Sequence, residues 1–402
     1  MKNTSALFKI STLLIILTLA ACSNSTDFSN VYKYETDFQY PYLAHGQTMG
    51  LASNGDGYYF LSGKYLYYAD QPEMKPVLLD NRPDSTCLQA SAENDRERCN
   101  AYFETGSTRG FLAYYDDNIY TIESETILRP DKIEEIVRLI ELAPDGSKRK
   151  ERFTFEFPPM AIAMHRGVLY YLSKDYSMDS ELSYELMRYP LNGLFAKPAS
   201  VYSGNLPNGH IQDIVPYGKY VYFTEFGTGA AGRLMMYDIE NQTVSRLLSD
   251  DDAVSTNLLG IANQRLIFSY FAGEVDDPLA WKIYSSDLEG QDIRELPVQS
   301  EFLSYVHATD EHLFVTPVTI YLDLEPYQDK YSQVKKEMTI YDWNYQVVDR
   351  IDISGLTGMP SMIAGDERTF FVKQISRDGN EQILYIDKNS FGSGELQLQP
   401  LF

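Results

Sequence analysis

Between residues 47 and 402 the chain alternates short apolar runs with polar tight turns, and the same order of runs keeps returning. In each unit a short apolar strand ends in a polar turn, and an aromatic-rich strand follows. A variable loop leads to a third strand ending near Tyr and Asp, and a turn and a fourth strand complete the unit. The second strand makes the repeat visible: Tyr58-Tyr59-Phe60, Ile119-Tyr120, Leu169-Tyr170-Tyr171, Val221-Tyr222-Phe223, Ile267-Phe268, Leu313-Phe314 and Thr369-Phe370-Phe371. With Tyr59, Tyr120, Tyr170, Tyr222, Phe268, Phe314 and Phe370 as anchors, the steps are 61, 50, 52, 46, 46 and 56 residues. The third strand echoes in Met235-Met236-Tyr237-Asp238, Thr339-Ile340-Tyr341-Asp342 and Leu384-Tyr385-Ile386-Asp387. Asp145-Gly146, Asn192-Gly193 and Glu289-Gly290 fall between strand-like runs, where Gly and Asn accept the positive φ of hairpin turns.

Seven four-stranded units of about fifty residues predict an all-β, seven-bladed β-propeller. One such meander cannot bury both its faces alone. Radial stacking buries each aromatic strand against the next blade, so the Tyr and Phe anchors are read first as packing. The predicted blades are 47–81, 109–158, 160–204, 209–249, 254–300, 302–352 and 358–402. Residues 31–36 also read as a strand, expected to close the ring against the last blade, and this extra strand keeps eight blades as the alternative count. No Pro/Gly/Ser-rich linker divides the chain after residue 47, which counts against two separate sandwiches.

Antiparallel blades sort their connections onto two faces. First-to-second and third-to-fourth turns open on one face and are short, as in His165-Arg166-Gly167 and Tyr217-Gly218-Lys219. Second-to-third turns and the links between blades open on the other. They include the longer stretches 80–108, 122–133, 174–182, 225–231, 270–280 and 317–335. Function on a rigid scaffold concentrates in such loops. This face carries the candidate ligand-binding residues Tyr176, Asp179, Phe226, Tyr270, Asp276, Asp277, Tyr321, Asp323, Tyr327 and Tyr331, with Phe271 beside them. Aromatic rings mixed with carboxylates suit a saccharide, a peptide or a cationic surface.

Charge narrows the partners. The chain has 34 Lys+Arg against 57 Asp+Glu, a formal charge of −23. Nucleic acid and anionic lipid surfaces are repelled by such a balance. Cys87 and Cys99 lie twelve residues apart in a polar stretch and are expected to form a disulfide outside the cytoplasm, since two cysteines alone cannot complete a tetrahedral zinc site. His45, His165, His210, His307 and His312 show no His-Glu-x-x-His spacing, and no Gly-x-Ser-x-Gly elbow is present. Gly227-Thr228-Gly229-Ala230-Ala231-Gly232 lacks the Lys-Ser/Thr of a phosphate loop and joins two strands, so it reads as a hairpin. Asp250-Asp251-Asp252 and Asp276-Asp277 lack the alternating ligands of a calcium loop. No metal, cofactor or catalytic residue is assigned.

The N-terminus places the protein. Lys2 and Lys9 precede the apolar run Ile10 to Leu19, followed by small Ala20-Ala21, which reads as an export signal over residues 1–21. The ending Leu19-Ala20-Ala21-Cys22 resembles a bacterial lipobox. That resemblance implies a mature chain starting at Cys22, acylated (palmitate among its chains), and held at the membrane by lipid. Removing the two lysines of the signal brings the charge to −23 − 2 = −25. Together with Gly57-Tyr58-Tyr59-Phe60-Leu61, Tyr65-Leu66-Tyr67-Tyr68 and Cys99-Asn100-Ala101-Tyr102-Phe103, the lipobox resembles lipid-anchored β-propeller lipoproteins of Gram-positive-type bacteria, with repeats similar to TolB-like propellers. In that group the segment matching residues 79–84 often carries further cysteines, and Asp80 and Ser85 stand here instead. The resemblance implies fold and an extracytoplasmic, membrane-anchored location (the outer membrane in a two-membrane host), and no catalytic residue.

The organisation expected is a signal peptide at 1–21, a lipidated Cys22 with polar spacer and closing strand over 22–46, and the propeller over 47–402. The expected function is that of a monomeric binding or scaffold protein taking a protein, peptide or glycan on its long-loop face. The alternative is a polysaccharide-active hydrolase or lyase, which requires two or more carboxylates converging in the central channel.

Overall fold

A computed structural model describes residues 27–402 apart from 45–46, 83, 86, 88–98, 105–109, 130–132, 175–183, 193–195, 207–208, 228–229, 249–253, 273–281, 299–303, 319–331, 357–359, 376–379 and 395. Seven four-stranded antiparallel sheets occupy 51–78, 112–154, 162–204, 210–246, 254–295, 304–352 and 361–400, one inside each predicted unit. The chain is a seven-bladed β-propeller. First strands of neighbouring blades touch around the axis, among them Ile162–His165 with His210–Tyr217 and Val254–Ala262 with Ser304–Ala308. Among the described residues no helix is long and apolar enough to cross a membrane.

The aromatic period is the core. Tyr58, Phe60, Tyr222, Phe223, Phe268, Phe314 and Phe370 are fully buried. Each such ring contributes about 2–3 kcal/mol by leaving water. Phe314 of blade 6 meets Phe370 of blade 7 at 4.8 Å between ring centres, so the second strands pack blade to blade as the repeat requires.

The strand predicted over 31–36 does not form; these residues make turns, with the Thr36 and Asp37 amides both donating to the Lys33 carbonyl. Blade 7 already takes its fourth strand from Gln399–Pro400, and blade 1 is built wholly from 51–78. The ring therefore closes through side chains, not through an exchanged strand. On the short-turn face the Tyr58 hydroxyl donates to Asp366 Oδ2 at 2.8 Å and lies 2.7 Å from Thr369 Oγ1. On the other face Lys373 Nζ donates to the Met49 carbonyl at 3.0 Å and pairs with Glu381, which accepts from the Gly63 amide. Tyr58→Phe removes the first closure while keeping the ring. We expect it to lower stability by about 1–2 kcal/mol, read from the urea midpoint of unfolding; an unchanged midpoint would show that this contact does not hold the ring.

Two of the six expected excursions are continued sheet. Asn118–Leu128 pairs with Ile133–Leu142 along its whole length, so most of 122–133 is a long hairpin. Strands Tyr220–Gly227 and Ala230–Asp238 pair up to Gly227 and Ala230, so the described part of 225–231 belongs to the ladder. Of the other four stretches, 83, 86, 88–98, 105–109, 175–183, 273–281 and 319–331 lie outside the described residues. Cys87 and Cys99 are disulfide-bonded with Cα atoms 5.0 Å apart, in the link between blades 1 and 2.

Candidate functional site

The central channel is where the structure concentrates unusual chemistry, and the N-terminal segment shapes it. Residues 27–42 cross the short-turn face as a strap. The Arg166 guanidinium grips Asp37 in a two-pronged ion pair, with Nε 2.7 Å from Oδ1 and Nη2 3.0 Å from Oδ2. Buried His165 accepts from the Phe38 amide at Nδ1 (3.1 Å) and donates from Nε2 to the Gly218 carbonyl (2.8 Å), tying the strap to blades 3 and 4. Gln39 exchanges two hydrogen bonds with the Ser53 backbone in blade 1. The Gly365 amide donates to the Pro41 carbonyl in blade 7. Gly218 must be glycine: its φ is +58°, and a Cβ there would sit 2.5 Å from Asn30 Oδ1.

After Pro41 the chain turns into the channel. Leu43 and Ala44 run beside the innermost strand of blade 7, Ser361–Ile363, and pair with Gln47–Thr48 before the chain enters blade 1 at Leu51. The protein thus threads part of its own channel. What is left is a cavity of about 230 Å³ against blades 4, 5 and 6, floored by Tyr40, Pro41 and Leu43. It reaches Phe226 near the long-loop end of its strand, where that ring stacks on His210 at 5.6 Å.

Two of the three innermost strands bordering this space are bulged. In blade 4 the pairing of His210–Tyr217 with its neighbour slips between Gln212 and Val215, and in blade 5 that of Val254–Ala262 slips between Leu258 and Gly260. Bulges re-aim side chains and cluster beside functional sites. The blade 4 bulge holds Asp213 at φ +61°, a left-handed conformation that Asp tolerates better than most residues. Its carboxylate lines the cavity, and its Oδ1 is sealed from solvent without a hydrogen-bond partner among the described residues. Burial alone pushes this carboxyl up, to about 7. Val215, Leu258, Leu259, Val306 and the Phe226 ring supply apolar wall, and no Lys or Arg is among the described residues lining it.

Glu225 makes the contrast. It too is buried, yet its Oε1 accepts from Tyr184 (2.5 Å) and Tyr202 (2.6 Å), and Arg233 stands 3.7 Å from Oε2. That acid is a satisfied seam between blades 3 and 4, whereas Asp213 is not satisfied.

Of the residues singled out from sequence, Phe226 reaches the cavity. Tyr270 packs against Phe268 and Tyr284 and donates its hydroxyl to the Leu248 carbonyl at 3.0 Å, so it serves the packing of blade 5. Tyr176, Asp179, Asp276, Asp277, Tyr321, Asp323, Tyr327, Tyr331 and Cys22 lie outside the described residues. In this cavity Asp213 is the one acid among the described lining residues, whereas a second cavity, which shares Tyr40 and Pro41 with it, is lined by Asp310, Glu311, Asp366 and Glu367 together with Arg368 and Lys388. Asp80 lies beside the cysteine pair, with one ligand atom from each of the three residues within 4.8 Å of the others, but bonded sulfurs are not the thiolates a metal takes. Sequence reading missed Asp213 because nothing local marks a bulge in His210-Ile211-Gln212-Asp213-Ile214-Val215.

Similar solved structures share this architecture. Prolyl oligopeptidase B from Galerina marginata, bound to a 25mer macrocyclization substrate, aligns with a TM-score of 0.57 at 12% identity, over 92% of this chain and 51% of that one. A prolyl endopeptidase structure gives 0.53 at 11% identity, over 91% and 50%. The likeness is one of fold. This chain spans about half the length of those peptidases. TolB from Acinetobacter baumannii aligns over 87% of this chain and 78% of its own at 15% identity, with a TM-score of 0.39. No protein-family model matches the chain, and no curated protein does.

Proposed function

We propose that this is an extracytoplasmic binding propeller, tethered through lipid on Cys22, that takes a protein, peptide or glycan on its long-loop face and seats part of that ligand in the channel. The observation that carries this reading is the shape of the channel. Strap residues floor it at one end, and an unsatisfied carboxylate lines the remaining space toward the other. Protein scaffolds keep a strained, unsatisfied group where a ligand compensates for it.

The strap also supports an orientation. Four residues lie between Cys22 and Asp27, the first described residue of the strap, a reach of at most about 17 Å. Lipid on Cys22 therefore holds the short-turn face toward the membrane and turns the long-loop face outward. The Cys22→Ala variant is expected in the soluble fraction of cells, and its retention in membranes would remove the tether.

Binding is tested with the full chain on peptide and glycan arrays, beside an Asn257→Trp variant that fills the cavity from blade 5. We expect the variant to lose the signals the parent gives while keeping its unfolding midpoint. Signals retained by a folded variant would show that the channel takes no part.

A further inference from the structure

We infer that the channel cavity is a receptor for a primary alkylammonium group, which enters from the long-loop side and pairs with Asp213. This deepens the binding reading above and rests on it.

The walls decide the class. A cavity with one carboxylate, apolar side chains and aromatic rings matches an ammonium on a short hydrocarbon stem: the stem lies along Val215, Leu258 and Val306, and the charge meets the acid. Phe226, Tyr40 and Tyr305 add ring faces or edges to the lining, and ring faces attract a desolvated cation. A neutral sugar could donate hydroxyl hydrogen bonds to Asp213 but would leave the charge of the carboxylate without a counter-charge, and an anion would be repelled both by it and by a chain of net charge −23. No lysine or arginine of the protein lines the space, so among the described residues nothing already occupies the ammonium's place. Asn257 and Gln212 are present in the lining as neutral hydrogen-bond partners, and His307 is its other titratable side chain besides the two tyrosines.

The bulge adds an independent reason. Asp213 holds a left-handed backbone conformation that disfavours ordinary side chains, at the bulge in the innermost strand of blade 4. Such local strain is kept where a side chain must point to one place. The group fits two sources, a lysine side chain on a peptide and a free small amine.

The test is calorimetric titration of the full chain at physiological salt and about pH 8 with three probes: n-butylammonium chloride, its neutral counterpart n-butanol, and the blocked tripeptide acetyl-Gly-Lys-Gly-amide. We expect butylammonium to bind about tenfold more tightly than butanol, and Asp213→Asn to abolish that preference while leaving butanol binding in place. Asn keeps the left-handed backbone, so a lost preference reports the charge. Tighter binding of the tripeptide identifies a peptide lysine as the source, and equal or weaker binding identifies a free amine. Equal affinity for butylammonium and butanol overturns the ammonium assignment and leaves the cavity as a binding site. Failure of all three probes in the folded parent overturns the assignment and the channel reading together.

Discussion

His165→Ala should lower stability at neutral pH by about 4 kcal/mol, because it strands two buried backbone groups and opens a cavity. The Phe38 amide and the Gly218 carbonyl both lose their partner when the imidazole goes. The strap then loses its link to blades 3 and 4, while Arg166 still holds Asp37. Acid should produce a milder version in the unaltered protein. Burial pulls the His165 pKa down from 6.5 to about 4, against the opposing influence of Asp37 4.0 Å away, with Arg166 lowering it slightly. A base whose folded pKa is depressed contributes stability that is complete above about 6.5 and is lost as pH falls through about 4. The loss amounts to about 3 kcal/mol across that window. Protonated Nδ1 can no longer accept from Phe38, so the strap's amide bond goes with it. Urea midpoints at about pH 7 and pH 4.5 read both effects when His165→Ala is compared with its parent in an Asp213→Asn background, where the opposing titration of Asp213 is absent. A cost below about 1 kcal/mol at neutral pH, or a variant that keeps the parent's acid sensitivity, would refute this account of the strap.

Asp213→Asn should act in the opposite direction and make the protein more stable. The folded carboxyl stands at about 7 against an ordinary 3.8, for desolvation alone. An acid raised in this way costs nothing while protonated in both states, at and below about pH 4. Its cost grows as pH rises toward 7 and is constant above it. The upper bound is about 4 kcal/mol, and the partial exposure of the residue as a whole reduces it to about 2 kcal/mol. Groups sharing the cavity are Tyr40, Tyr305 and His307. The variant should therefore gain about 2 kcal/mol at pH 8 and nothing at pH 4. A loss of stability at pH 8 would mean that the carboxylate is already compensated inside the protein. The expected gain is itself an argument for function, since a residue that destabilises its own fold is retained for something else.

The two titrations oppose each other across one pH range. Between about 7 and 4, protonation of Asp213 adds stability while protonation pressure on His165 removes it. The parent should look flatter with pH than either variant. Only the variants separate the two terms.

Residue pattern alone favoured seven blades over eight and carried the approximate extent of each, the role of the aromatic anchors and the expectation of a cysteine pair, because each depends on spacing that the chain carries locally. Tyr58, Tyr222 and Phe314 mark the buried second strand of a blade wherever that blade stands in the ring. Tertiary structure decided the rest. Val31 to Thr36 has strand-forming composition, yet a strand needs a free edge, and the C-terminal residues had filled the one it would have taken. This segment and its neighbours instead cross the ring to meet His165, Lys219 and Asp366, which lie more than a hundred residues away in the chain. Asp213 reads as an ordinary polar position in an alternating strand; a bulge set by pairing with the next strand turns it into the channel. Spacing repeats along a chain, whereas the occupant of a channel depends on which distant segments arrive there together.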